Sequence, residues 1–494
     1  MAISQLYTRA QLGIESPCVS VETHLGPGLP AFTIVGLPEA AVREARDRVR
    51  SAIATAGFPF PQQRITVNLA PADLPKSGGR FDLPIALGIL IASGAIPALP
   101  EPDTEFIGEL ALSGDLRPIT GILPAALACG RAGRQLVLPE LNVAEASLCR
   151  TTTVFGANSL LAVCAHLKGL QRLATQTPVI PSQTIAQAPC LSEVRGQDQA
   201  RRALEIAASG GHSLLLCGPP GSGKSMLASR LPGLLPPLSE QAALEVAAVH
   251  SLHRPRPVHQ FVIPPFRAPH HTASAAALVG GGSYPRPGEI SMAHHGILFL
   301  DEIPEFDRRV LEVLREPLES GEVSIARAAR QITFPARFQL VAAMNPCPCG
   351  YFGDPQKSCG YSCEKARRYQ GKLSGPFLDR VDLHLEVAPV TPDELVRKPA
   401  GEASGPVRQR VLAARERQLQ RQGKLNHLLG AAELESLITQ HGHWLGEAMQ
   451  RLDLSARALH RTLRVARTLA DMADSNDVSA THLGEALSYR LSRH

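Results

Sequence analysis

The residues at 218–225, GPPGSGKS, hold the densest chemistry in the chain. Gly218, Pro219, Pro220, Gly221, Ser222 and Gly223 form a loop with little side chain to obstruct it, so backbone N–H groups can close around phosphate oxygens. Lys224 then offers a charge that reaches the β and γ phosphates, and Ser225 a hydroxyl for Mg²⁺. Two acids, Asp301 and Glu302, follow the apolar run Ile-Leu-Phe-Leu at 297–300. Beside such a loop, Asp301 would orient the Mg²⁺ shell and Glu302 would polarise an attacking water. Asn345, after a third apolar run at 338–343, could hold that water near the γ phosphate. The chemistry expected is ATP hydrolysis with ATP and Mg²⁺ bound.

The elements needed to position these groups are legible around them. Residues 213–217 read as a strand, and the helical run after the loop reaches Leu231, where Pro232 stops it. The run at 297–300 is apolar at every position, as a strand buried on both faces should be, and it would deliver its acids at its C-terminal end. A parallel α/β sheet is predicted.

Four of the ten cysteines, Cys347, Cys349, Cys359 and Cys363, fall within 17 residues, among Gly350, Gly353, Asp354, Pro355 and Gly360. The spacing suits a structural Zn²⁺ held by four thiolates; free thiols and an iron–sulfur cluster are the alternatives. Residues 322–334 read as a β-hairpin with Val323 and Ile325 alternating on one arm, Ile332 and Phe334 on the other, and Ala326 to Gln331 as the tip bearing Arg327 and Arg330. Those arginines are either a phosphate track or a solvated tip. His270 with His271, and His294 with His295, are adjacent pairs that diverge along a backbone, which favours hydrogen-bonding roles over metal ligation.

GPPGSGKS, FRAPHHTAS at 266–274, PGEISMAHHGILFLDEIPEF at 287–306, MNPCPCG with SGPFLDRVD at 374–382, and LAPADLPKSGGRFDLPIALGIL near the start span nearly the whole chain. Together they resemble the Mg-chelatase-like AAA+ ATPases of the ComM/YifB competence family. The resemblance implies that Arg380 is an arginine finger reaching the γ phosphate of a neighbouring subunit, that Arg457 is the arginine of a mobile helical lid, and that the assembly is a homo-hexamer. It also implies that the hairpin lines a central channel, where two arginines per subunit would set about a dozen charges against DNA phosphates.

The N-terminal region resembles the proteolytic domain of Lon. Arg80 falls where the serine nucleophile belongs and Leu123 where the lysine belongs, so a Ser/Lys dyad is not expected. Within it, Val42, Ala45, Val49 and Ile53 predict a helix entered at Pro38 and left at Gly57, and Ile65, Val67 and Leu69 a half-buried strand.

The chain has 494 residues, 44% of them apolar and 19% charged, with 50 Lys plus Arg against 45 Asp plus Glu. This supports several packed domains and excludes a disordered chain or a disulfide scaffold. The expected division is a Lon-like domain at 1–170, a linker at 171–190, an ATPase core at 191–395 with its Cys₄ loop at 347–363, a linker at 396–406 and a helical lid at 407–494. Leu459, Leu463, Ala466 and Ala470 give that lid an apolar face, and Arg457, Arg461 and Arg464 a basic stripe. The segment 407–424 carries six basic residues against Glu416, read as a solvated helix face. The longest uncharged run, 83–100, is interrupted by Pro84, Gly88, Gly94, Pro97 and Pro100, so a buried strand and helix is expected in place of a membrane span. No secretory signal is legible in MAISQLYTRAQLGIES, and a cytoplasmic location is expected.

The function this resemblance implies is an ATP-dependent hexameric DNA helicase that migrates branched DNA during recombination in natural transformation; its expected partners are DNA, whether single-stranded, duplex or branched, and recombination proteins. The alternative is a Mg-chelatase-like ATPase that remodels a partner protein for metal insertion.

Overall fold

The structure is a computed structural model of the chain and describes residues 2–37, 40–98, 103–175, 189–282, 285–327, 330–352, 359–390, 396, 399–452 and 454–490. Pro38, residues 176–188 of the expected linker, Arg397, and Gly353, Asp354 and Pro355 of the cysteine loop lie outside these. Two compact units are present. One comprises Met1–Thr184, Glu240–Phe261 and Ala328–Phe334; the other comprises Ile185–Ser239, Val262–Arg327 and Pro335–His494.

In the first unit a seven-stranded mixed sheet runs in the order Ala31–Val35, Arg64–Ala70, Cys18–Gly26, Ala2–Arg9, Thr104–Phe106, Gln135–Pro139, Val154–Ala157. Ile65, Val67 and Leu69 are buried while their neighbours are not, because side chains alternate across a strand. Helix Ala40–Thr55 buries Val42, Ala45, Val49 and Ile53 on one face. Within the described part of the uncharged run, the helix Asp82–Ala92 is present and no strand accompanies it. Pro84 sits in its first turn, where a missing N–H costs nothing.

Arg80 is buried, donates to Gln11 Oε1 (2.6 Å) and the Thr120 carbonyl (2.7 Å), and is drawn down to about 10 by desolvation. Leu123 is buried in helix Ile122–Arg131. Helix Glu240–Ser251, within the span 191–395 expected for the ATPase core, clusters with this unit instead: Gly121 N donates to the Ser251 carbonyl (2.9 Å). Its Ala243, Val246 and Val249 are buried.

The second unit is built on five parallel strands in the order Phe266–Arg267, Ile297–Leu300, Gln339–Met344, Leu214–Cys217, Leu383–Glu386. Helices follow at the C-terminal end, including Ser404–Gln422, Ala431–Leu452, Ala456–Met472 and Ala480–Ser488. Leu459, Leu463, Ala466 and Ala470 pack into the same apolar cluster as the strand residues Leu214, Leu216 and Val341.

Helix Ser404–Gln422 corrects the solvated-face reading. Arg410 donates to Glu205 (2.6 Å) and Glu402 (2.7 Å), the half-buried Arg415 donates to the Ala208 carbonyl (2.7 Å), and Arg421 pairs with Asp471. The arginine heads of this helix find acids and a carbonyl on other segments of the chain.

At the base of the sheet Asp382, 3% exposed, accepts hydrogen bonds from Ser213 N (2.9 Å), Ser213 Oγ (3.0 Å) and Arg461 Nη1 (2.7 Å), with His212 Nδ1 at 3.6 Å. Burial alone would raise this carboxyl, but Arg461, His212 and the hydrogen bonds hold it well below the ordinary range near 4. Its stabilisation is therefore complete above that range and fades as pH falls through the depressed native value. We expect Asp382→Asn, which leaves Arg461 without its counter-charge, to destabilise this unit by about 3 to 5 kcal/mol. Thermal and urea melts of the variant read this, and a change below about 1 kcal/mol would show the pair to be dispensable.

Candidate functional site

The loop at 218–223 continues directly from Leu214–Cys217, and Gly218 N still bonds the Met344 carbonyl (3.1 Å) of the adjacent strand. Gly223 adopts φ +85° and helix Lys224–Arg230 begins at the next residue, so the turn that aims the helix N-terminus needs glycine there. Outside the loop, Gln197 donates to the Ser222 carbonyl (2.7 Å) and the Ala388 carbonyl (3.3 Å). This brace was not legible in the sequence.

The structure brings five of the expected residues together. Lys224 Nζ donates to the Gly218 carbonyl (2.7 Å), the Pro219 carbonyl (2.9 Å) and Asn345 Oδ1 (3.1 Å). Burial draws its ammonium below the ordinary value, against the pull of Cys217, Asp301 and Glu302. Three neutral acceptors thus hold a desolvated cation, and phosphate oxygens would satisfy it better. Ser225 Oγ donates to Asp301 Oδ2 (2.6 Å), so the hydroxyl and carboxylate that a Mg²⁺ shell needs already face each other. Asp301 Oδ1 also accepts from Glu302 N (2.9 Å).

Glu302 has φ +50°, an uncommon left-handed value for a residue with a side chain. Its half-exposed carboxylate lies 3.5 Å from His271 Nδ1, so His271 joins the site while His270 bonds Thr272 (2.9 Å). Of the other pair, His294 Nδ1 accepts from Arg337 N (3.0 Å), and the main-chain N–H of His295 donates to the Arg337 carbonyl (2.6 Å).

Arg380 and Arg457 do not join this group through any hydrogen bond or ion pair among the described residues. They share a partner instead: Glu319 Oε1 forms ion pairs with Arg380 Nη2 (2.8 Å) and Arg457 Nη2 (3.1 Å). Arg380 precedes strand Leu383–Glu386, whose Leu383 pairs with Leu214, while the phosphate loop follows Cys217. At about 3.3 Å per residue, the two ends of these strands are roughly 10 Å apart.

Three sulfurs of the cysteine loop converge: Cys347 and Cys349 are 3.2 Å apart, Cys349 and Cys359 3.4 Å, Cys347 and Cys359 3.7 Å. Cys363 is exposed at the first position of helix Cys363–Gln370 and is not in this trio. The loop also touches the phosphate loop. Gly350, at φ +84°, packs so close that a Cβ there would lie 2.2 Å from Pro220 Cδ. Arg327 and Arg330 lie in strands Glu322–Arg327 and Arg330–Pro335, so the irregular tip is shorter than expected; their side chains lie outside the described residues.

Three family descriptions match successive parts of the chain: "Subunit ChlI of Mg-chelatase" over 21–142, "Magnesium chelatase, subunit ChlI" over 190–395, and "Magnesium chelatase, subunit ChlI C-terminal" over 401–490. They set the parallel sheet and its phosphate loop in a Mg-chelatase-like class. The chain is 50% identical over 499 residues to "Uncharacterized protein YifB" of Salmonella typhimurium, covering 99% of this chain and 97% of that one. It is 49% identical over 500 residues to "Competence protein ComM" of Haemophilus influenzae, covering 99% and 98%. The chloroplastic "Magnesium-chelatase subunit ChlI" of Oryza sativa is 28% identical over 224 residues, 44% of this chain and 48% of that one. The chain belongs to the Mg-chelatase-like ComM/YifB family.

The contact between Gly350 and Pro220 makes a direct test of coupling between the two loops. We expect Gly350→Ala, strained by its φ and by Pro220, to raise the KM for ATP roughly ten-fold, about 1.4 kcal/mol of lost binding, with a smaller effect on kcat. Steady-state ATPase assays check this, and an unchanged KM would show that the cysteine loop can shift without cost to the nucleotide site.

Proposed function

We propose that this chain is the subunit of an ATP-driven hexameric AAA+ motor that moves on DNA and migrates branched DNA during recombination. The observation that carries the reading is the separation of charges. Lys224, Ser225, Asp301 and Asn345 form one half of a hydrolytic site, whereas Arg380 and Arg457 are held on Glu319 at the opposite end of the parallel strands. A finger that does not meet its own phosphate loop is suited to a neighbour's, and this ties turnover to assembly.

The residues present fit ATP with Mg²⁺. Lys224 binds the β and γ phosphates, Ser225 and Asp301 hold the metal shell, Glu302 takes the proton of the attacking water, and Asn345 orients that water. His271, 3.5 Å from Glu302, steers the carboxylate. Mg²⁺, when bound, neutralises phosphate charge.

Arg327 and Arg330 supply the contacts that follow the DNA backbone. The name of the Haemophilus relative supports a role in competence, and the first 170 residues act as a Lon-like assembly domain without a Ser/Lys dyad. A second reading, remodelling of a partner protein for metal insertion, is favoured by the three chelatase descriptions.

A structural Zn²⁺ is part of the proposal. Sulfurs at the corners of a tetrahedron of 2.3 Å bonds stand about 3.8 Å apart, and the three observed separations fall just inside this. Gly350 N (3.1 Å) and Phe352 N (3.3 Å) both point at Cys347 Sγ, as donors to a thiolate would. Cys347, Cys349 and Cys359, with Cys363, would hold the ion.

Three outcomes are expected. Lys224→Ala and Arg380→Ala proteins, each inactive alone, recover part of the ATPase when mixed, because an intact pocket then meets an intact finger; DNA with a four-way junction stimulates the wild-type protein several-fold. Failure of the mixture to recover would argue against action in trans, and indifference to DNA would favour the chelatase-like reading. Metal analysis is expected to find about one zinc per chain, lost with Cys359→Ser together with a lower melting temperature; a metal-free wild type would leave the thiols free.

A further inference from the structure

We propose that Glu319 is a positioning residue that holds the two interfacial arginines of its own subunit until a neighbour's triphosphate displaces it, and that this release moves the strand Glu322–Arg327. The inference rests on the reading that Arg380 acts in trans.

One carboxylate oxygen, Oε1, serves both guanidinium groups. It offsets one of the two positive charges it touches, and beside it Arg315 is paired with Glu312. Arg380 is nearly buried and fixed: its side chain is 7% exposed and Nη1 donates to the Pro376 carbonyl (2.6 Å). Glu319 and Arg457 are about half exposed, which makes the carboxylate the exchangeable member of the trio. An ion pair at that exposure is weak and screened by solvent. A γ phosphate offers more charge and three acceptor oxygens, so it outcompetes a single carboxylate for the same donors.

A cleft of about 410 Å³ opens at this point, lined by Glu312, Arg315, Glu316, Glu319, Ser320 and Arg380. Incoming phosphate therefore has room to reach Arg380 without unfolding any element.

The position of Glu319 in the chain turns the exchange into motion. It sits in helix Pro317–Ser320, and strand Glu322–Arg327 starts after a single residue, Gly321. Ser320 Oγ lies 3.0 Å from the Glu316 carbonyl and accepts from Glu322 N (3.2 Å), which stiffens the joint between helix and strand. A displaced Glu319 thus carries the base of the strand that ends at Arg327.

The test uses the full-length protein with Glu319→Gln and Glu319→Asp, read by ATPase kinetics with and without duplex DNA and by melting. For Glu319→Gln we expect melting like wild type, a raised basal kcat with little change in KM, and a DNA-stimulation ratio that falls from several-fold towards one, since the arginines no longer wait for release. Glu319→Asp, which keeps the charge, should restore part of the ratio. A wild-type stimulation ratio in Glu319→Gln overturns the inference, as does a lowered melting temperature with loss of both basal and stimulated turnover, which would mark a purely structural pair. Arg380→Ala is assayed alongside: if it keeps full ATPase, the reading on which the inference rests fails instead.

Discussion

The buried carboxylate of Asp382 is the constraint around which the second unit is arranged. Its acceptor oxygens are shared between Ser213, at the start of the strand that feeds the phosphate loop, and Arg461, on the C-terminal helix Ala456–Met472. Arg380 is two residues earlier, and its carbonyl accepts from the same Ser213 hydroxyl (3.2 Å). One ion therefore fixes the base of the nucleotide strand, the arginine segment and the helical region in a single frame. A buried charge is costly unless every lone pair is used, and here the neighbours use them, so no member of the group can move without exposing the others to that cost.

Above this rigid base the chemistry is held by provisional bonds. Lys224 rests on two carbonyls and an amide oxygen, and Arg380 and Arg457 share one half-exposed carboxylate. In both places cations are paired with acceptors weaker than a phosphate. Pre-positioned donors of this kind need little reorganisation when the anion arrives, which is where electrostatic catalysis gains most. The contrast with Asp382 lies in the acceptors: a fully buried carboxylate holds Arg461, whereas Lys224 has only neutral acceptors and Arg380 the half-exposed carboxylate of Glu319.

The phosphate loop, its acids and Asn345 were legible because each lies in a short contiguous stretch: a Gly-rich loop after one apolar run, acids after a second, an amide after a third. Parallel pairing of the strands then brings the three together at one edge. What was not legible depends on partners far apart in the chain. Glu319 gains its meaning from Arg380 and Arg457, 61 and 138 residues on, and Gln197 from the Ala388 carbonyl, 191 residues away. His271 was read only as one of a pair, since nothing local shows that Glu302 faces it. The arginines of helix Ser404–Gln422 read as solvated for the same reason: Glu205, Ala208 and Asp471 are distant in sequence. Periodicity reports which face of an element is apolar; it cannot report which distant acid waits for a charge on the other face.

The surroundings of the phosphate loop suggest why its flanks carry unusual residues. On one side Gln197 ties Ser222 to Ala388, and on the other Gly350 brings the cysteine loop against Pro220. Gly350 is itself bonded to the converging sulfurs, since its N–H points at Cys347 Sγ. A loop that must admit phosphate cannot be filled by side chains of its own, so its conformation has to be set from outside. The proposed metal would serve that end: by fixing Cys347 it fixes Gly350, and by fixing Gly350 it sets the wall against which Pro220 rests. Two rigid contacts, one polar and one steric, thus confine a glycine-rich segment that by composition alone would sample many shapes.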